Sequence, residues 1–233
     1  MKKTNSFLKK SFPLLANYGI SLAGDTLYLY AINWFLVSQT KTTSLLGTVN
    51  GISSFVLLIA NIFAGPIVDR YNRKHLLIFS DLISFISCLV CAFLLNDYVE
   101  DKLILITTSS VLSLSMAINS PSAKAVVPNV ISSENIESFN SLQNTLSSAI
   151  KVVSPLVGAL LLSVFNNFNV FILINSLSFL ISAILISTVP YNNIKQDSNK
   201  QSFVKRLVSG LKYVINKRKI LGILIFQTVD KVL

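Results

Sequence analysis

The chain has 233 residues, of which 52% are hydrophobic and only 13% charged, with a mean hydropathy of +0.64 and a formal net charge of +10. A water-soluble domain of this length needs far more charged surface, so the composition excludes an ordinary soluble enzyme or binding domain. The basic excess alone would suit nucleic acid, but its placement along the chain argues instead for a lipid bilayer as partner.

Crossing a hydrocarbon core takes roughly 20 mostly apolar residues as a helix. Six stretches meet that length: 12–37, 45–68, 75–95, 103–119, 139–165 and 170–189. Lys2, Lys3, Lys9 and Lys10 ahead of the first run resemble a signal peptide, but the run is too long, contains Asp25 and lacks a small-residue cleavage site. Along this first span Asn17, Ser21, Asp25 and Tyr28 follow i, i+4, i+8 and i+11 and therefore share one helix face.

The second span carries Gly47-Thr48-Val49-Asn50-Gly51, a Gly-x-x-x-Gly pattern expected to let helices pack closely inside the bundle. It ends in the charged turn Gly65-Pro66-Ile67-Val68-Asp69-Arg70-Tyr71-Asn72-Arg73-Lys74. Asp69 sits where the helix macrodipole disfavours a carboxylate, so Arg70, Arg73 or a neighbouring helix N-terminus is expected to compensate it, as a latch at the cytoplasmic face. Gly65 permits close backbone approach and Asn72 tolerates a left-handed turn. This stretch resembles the loop motif of the major facilitator superfamily, Gly-x-x-x-Asp-Arg-x-x-Arg-Lys, matched by Gly65, Asp69, Arg70, Arg73 and Lys74, with Asn72 where the family usually has Gly.

In the third span, Cys88 and Cys91 have redox spacing but stand mid-helix without accompanying ligands and read as small packing residues. Asp81 is placed to reach Arg70 or Arg73 in a structural role. His75 lies at the membrane surface beside Arg73 and Lys74 and suits snorkelling better than metal binding. Gly24-Asp25, and Pro121-Ser122-Ala123-Lys124-Ala125-Val126-Val127-Pro128 after the fourth span, are similar to the macrolide- and siderophore-exporting branch of the family.

The fifth span holds a second polar stripe, Asn140, Asn144, Ser147, Lys151 and Ser154. Counted at about 1.5 Å per residue, Lys151 and Asp25 lie at similar mid-membrane depth. Charges there are costly and normally face a cavity or a partner. Asp25 and Lys151 are thus candidates for proton coupling along a shared watery path, paired or alternately protonated, with Asn17, Ser21, Tyr28 and Asn144 beside them; a static polar contact within the bundle is the other open reading. Ser154, Pro155 and Gly158 resemble the Gly-Pro-x-x-Gly-Gly motif of proton-coupled exporters, while by residue type alone they would kink or thin a helix for packing.

After the sixth span, 190–219 reads as a basic cytoplasmic linker containing an amphipathic helix that lies on lipid headgroups. From 220 to 233 a seventh span begins and is too short to cross, so the chain is expected to be truncated there. Sixteen of the twenty basic residues fall in alternate connections, which by the positive-inside rule puts the N-terminus and the 190–219 segment in the cytoplasm of a multi-pass plasma-membrane protein.

The expected architecture is all-α: a six-helix bundle over 1–189 that looks like the N-terminal half of a major facilitator fold, plus a partial seventh span. The resemblance implies alternating access and proton-driven efflux of a drug-like or siderophore-like small molecule. The alternative is a non-transporting membrane protein, or a half-transporter that needs a second half-bundle or a homodimeric partner. No nucleotide-cradling loop, hydrolytic triad, metal set or cofactor motif is evident, so no chemical reaction and no nucleic-acid partner is expected.

Overall fold

In lipid, every backbone amide must find its partner within the segment, and a long apolar run solves that problem as a helix. The structure, a computed structural model, describes residues 2–95, 101–165 and 167–191. They form α1 (Lys2–Thr40), α2 (Ser44–Arg70), α3 (Arg73–Leu94), α4 (Lys102–Val130), α5 (Ile136–Phe165) and α6 (Phe168–Thr188), with a short 3-10 turn, Ser133–Asn135, ahead of α5. All six are long and apolar enough to cross a membrane. The expected linker at 190–219 and the seventh span at 220–233 lie outside the described residues, apart from the first two positions of the linker.

The helices start and stop on local chemistry. Asn72 is extended, with φ of −65° and ψ of 115°, and its side chain accepts from the backbone amides of Lys74 and His75 at 3.0 and 3.3 Å. It is therefore the N-cap of α3. This corrects the expectation of a left-handed turn residue, since the family's usual Gly is replaced by a side chain that satisfies two orphan donors. Asn167 caps α6 in the same way, accepting from the Asn169 amide at 2.9 Å.

α4 runs eleven residues past the expected 119, carrying Pro121 and Pro128 inside it. A proline removes only its own donor, and a helix sheltered by its neighbours tolerates that loss.

The principal interfaces order the helices as α5, α1, α6, α3, α4, α2. Replacing α1, α2 and α3 by α4, α5 and α6 maps these principal interfaces onto one another, so two three-helix halves of opposite direction repeat one arrangement. The outer surface is apolar: Phe93 is 77% exposed, Val152 69% and Phe55 64%. In water that surface would be an aggregation hazard; against acyl chains it is the expected solvent contact.

Inside, the apolar residues separate into two clusters. One gathers Tyr28, Ile32, Phe35, Leu36, Cys88, Cys91, Leu105, Phe168 and Phe171. The rings of Tyr28 and Phe35 pack on Phe168 at centroid distances of 5.7 and 5.5 Å. The other gathers Leu14, Leu77, Val126, Val130, Phe139, Ile186 and Val189. Along α1, α3, α4 and α6 alike, buried positions between the two clusters carry polar side chains, among them Asn17, Ser80, Asp81, Ser115 and Ser182.

Candidate functional site

That intervening layer is built from three helix faces. α3 contributes Ser80, Asp81 and Ser84, all buried. α6 contributes Asn175, Ser178 and Ser182, spaced i, i+3 and i+7 on one face and also buried. α1 contributes Asn17, buried, and Ser21 and Asp25, half-buried.

Asp81 is 1% exposed and lies at the centre. Its Oδ1 accepts from Asn119 Nδ2 of α4 at 2.8 Å, and its Oδ2 accepts from Ser182 Oγ at 2.7 Å. Asn119 Nδ2 also reaches Ser80 Oγ at 3.0 Å. Ser182 in turn is held by Asn17 Nδ2, which donates to its hydroxyl at 2.5 Å and to its carbonyl at 3.0 Å. One carboxylate thus joins four helices through neutral donors, at a depth where bulk water cannot solvate it. Arg70 and Arg73, expected beside Asp81, are engaged elsewhere.

Asp25 is the second acid of the layer and faces Asn175 of α6. The α1 and α6 backbones meet closely here because residue 24 is glycine: a Cβ on it would fall on Ser178 Oγ and within 2.7 Å of Asn175 Oδ1. The Nδ2 of Asn175, in a residue with 0% exposure, makes no hydrogen bond of normal geometry. Tyr28, the last residue of the α1 stripe, points to α4, its hydroxyl 3.5 Å from Ser109 Oγ.

The two sequence stripes do not meet. Lys151 is exposed on α5, and among the described residues no ion pair joins it to Asp25, whose neighbours are Asn175 and Asp81. Depth matched, but helix rotation did not: the α1 stripe turns toward α6, while Asn140, Asn144 and Lys151 of the α5 stripe are exposed and only its last member, Ser154, is buried. Asn144 lines a shallow open groove with Glu137, Asn140, Ser141, Thr145 and Ser148. Ser154 and Gly158 are buried against α1, a Cβ on Gly158 lying 3.6 Å from Leu27 Cδ2, and Pro155 is inside α5.

The loop motif ties helix ends together. Lys74 Nζ donates to the carbonyls of Ser187 and Val189 at 2.7 and 2.8 Å, placing its cation on the C-terminal end of α6. Arg73 Nη1 donates to the Ala125 carbonyl of α4 at 3.3 Å. Asp69 and Arg70 are exposed, the Arg70 guanidinium standing 5.9 Å from the Tyr71 ring centroid.

Nothing lies within 4 Å of a Cβ built on Gly65, Gly47 or Gly51. The expected close packing of Gly47 and Gly51 within the bundle, and the close backbone approach expected at Gly65, are therefore corrected; all three lie on the exposed side of α2. Cys88 and Cys91 are free and buried among apolar side chains, as expected of packing residues.

Reasoning from sequence did not find Asn119, Ser182 or Asn175. The signal was present in the spacing of Asn175, Ser178 and Ser182 within an otherwise apolar span.

Six lipid-facing helices around a polar layer define a multi-pass membrane protein of the inverted-repeat class. The profile of the Major Facilitator Superfamily matches residues 14–229, and the chain belongs to that family. It is similar to the macrolide efflux protein A of Streptococcus pyogenes, 24% identical over 98% of this chain and 56% of that protein. It is also similar to the staphyloferrin A transporter of Staphylococcus aureus, 22% identical over 93% of this chain and 53% of that one. An uncharacterized MFS-type transporter of Bacillus subtilis is 25% identical over 95% and 55%. The chain spans about half the length of the curated relatives it matches.

Proposed function

We propose that this bundle is the N-terminal half of a proton-coupled exporter that moves a drug-like or siderophore-like small molecule by rocking against a second bundle. The observation that carries the reading is the polar, exposed face of α5. Glu137, Asn140, Asn144 and Lys151 have no partner in lipid, where each would be expensive. A water-filled cleft shared with a second bundle, on the same polypeptide, another chain or a second copy, removes that cost. The printed names of two relatives, efflux of a macrolide and transport of staphyloferrin A, support the substrate class.

The boundaries proposed are a bundle over 1–189, a basic linker over 190–219 and the start of a further span over 220–233. Basic residues concentrated on alternate connections support a cytoplasmic N-terminus in the plasma membrane. With that orientation, Lys74 and Arg73 hold the cytoplasmic ends of α6 and α4, and exposed Asp69 is available to a second bundle. Asp25 and Lys151 are proposed as coupling residues acting through this cleft and the adjoining layer, without a direct ion pair in this conformation.

The test is flux in proteoliposomes of a radiolabelled macrolide and a ferric siderophore under an imposed pH gradient, with oligomeric state measured alongside. Proton-dependent flux lost in Asp25→Asn supports the reading. Gradient-independent behaviour, or flux undiminished in that variant, removes Asp25 from the mechanism; no flux in any assembled state favours a non-transporting membrane protein.

A further inference from the structure

We propose that the layer between α1, α3 and α6 is a proton-binding site in the bundle's own interior, centred on Asp81 and continued to Asp25 through the buried serines and asparagine of α6. This deepens the exporter reading and rests on it for its role; the binding event itself stands on the geometry of the layer.

The first observation is the donor set. Both oxygens of Asp81 are occupied, one by an amide and one by a hydroxyl, and neither donor is charged. A carboxylate held this way inside a membrane bundle has only neutral dipoles around it, with no cation on either oxygen to fix its charge. The hydroxyl partner makes both states fit. With Asp81 ionised, Ser182 Oγ donates to it while accepting from Asn17. With Asp81 protonated, the acid hydrogen points to Ser182 Oγ, and the serine turns its own hydrogen to a carbonyl one turn earlier on α6. The proton goes onto Asp81 Oδ2 and no heavy atom has to move.

The second observation is the route. Ser182, Ser178 and Asn175 lie on one buried face of α6, ending at Asp25 of α1. Asn175 Nδ2, which makes no hydrogen bond of normal geometry, belongs to a buried side chain beside that acid. Gly24 brings the α1 backbone against the Ser178 hydroxyl, so α1 and α6 meet closely beside Asp25. The exposed α5 face with Lys151 lies outside this layer.

The other titratable or charged groups on the surrounding elements are few. Among its described side chains, α1 offers Asp25, Tyr18, Tyr28 and, exposed, Tyr30. α3 offers Arg73, Lys74 and His75 at its start and Cys88 and Cys91 beyond. α4 offers Lys124, exposed, and Lys102 at its opposite end; α2 offers Asp69 and Arg70, both exposed. α6 has none within Phe168–Thr188. Asp25 is therefore the titratable group expected to couple to Asp81.

The experiment is infrared difference spectroscopy of the full chain in phosphatidylcholine vesicles, titrated between about pH 5 and 9. A carbonyl band of a protonated carboxylic acid should appear as pH falls, lose the Asp81 component in Asp81→Asn, and shift its midpoint in Asp25→Asn. Asparagine keeps an acceptor for Asn119, and Ser182→Ala provides a second variant that retains the acid. In Ser182→Ala the band should persist at a changed frequency. A spectrum of Asp81→Asn superimposable on that of the unaltered chain, or a band insensitive to pH, overturns the proposal. Loss of flux with the band intact counts against the exporter reading alone.

Discussion

The Asn17 amide of α1 holds two atoms of one α6 residue, donating to Ser182 Oγ at 2.5 Å and to the Ser182 carbonyl at 3.0 Å. Hydrogen bonds between transmembrane helices contribute roughly 0.5–2 kcal/mol each. Asn17→Ala should therefore lower the stability of the bundle by about 1–2 kcal/mol, because it also leaves the Ser182 carbonyl and hydroxyl without that donor. Unfolding in mixed micelles at increasing SDS fraction measures this; a midpoint equal to that of the unaltered chain would show the contact to be incidental.

Gly24→Ala should be more damaging than its size suggests. The added methyl would occupy the space of Ser178 Oγ and crowd Asn175 Oδ1, so α1 and α6 must separate or both side chains must leave their rotamers. Overpacking of this kind costs about 1–3 kcal/mol. Gly51→Ala, by contrast, meets open space and should leave the unfolding midpoint of the isolated bundle unchanged or raised. The pair of variants in one assay separates packing glycines from exposed ones.

Lys74→Gln should loosen the end of α6 without unfolding the bundle. The lysine ammonium accounts for two carbonyl contacts at Ser187 and Val189, and a cation at a helix C-terminus contributes about 0.3–1 kcal/mol. Faster amide hydrogen exchange confined to the last turn of α6, with α3 unchanged, is the expected result. Equal exchange in both proteins would mean that the Asn72 cap and the apolar cluster around Ile186 suffice.

Lys151→Gln should not destabilise the bundle, since the lysine is exposed and has no carboxylate partner among the described residues. A loss of more than about 1 kcal/mol in the same SDS titration would point to an ion pair formed in another conformation, on the scale expected for a buried charge pair.

Much of the architecture was legible in the chain because a bilayer enforces it. Six apolar runs of membrane length can hardly be anything but helices, and the loop motif around Asp69 carries the family resemblance in the sequence itself. Helix ends were less legible: α4 continues through two prolines that in water would argue for a stop. The site was partly legible. Asn17, Ser21 and Asp25 share a face, as their spacing required, but spacing fixes only which residues lie together on one helix and says nothing of which neighbour they turn toward. Pairing Asp25 with Lys151 used depth where azimuth was needed. Asp81 had been set beside arginines because they are near in sequence, yet helix α3 turns it inward to Asn119 and Ser182 while Arg73 reaches α4.

The two apolar clusters that bracket the polar layer have a consequence for leakage. Their largest side chains, among them Phe139, Phe168, Phe171 and Leu77, are less than 2% exposed. The two clusters lie on either side of the acids along the helices. A charge moving along the bundle interior to Asp81 would therefore have to displace close-packed apolar side chains of one cluster or the other.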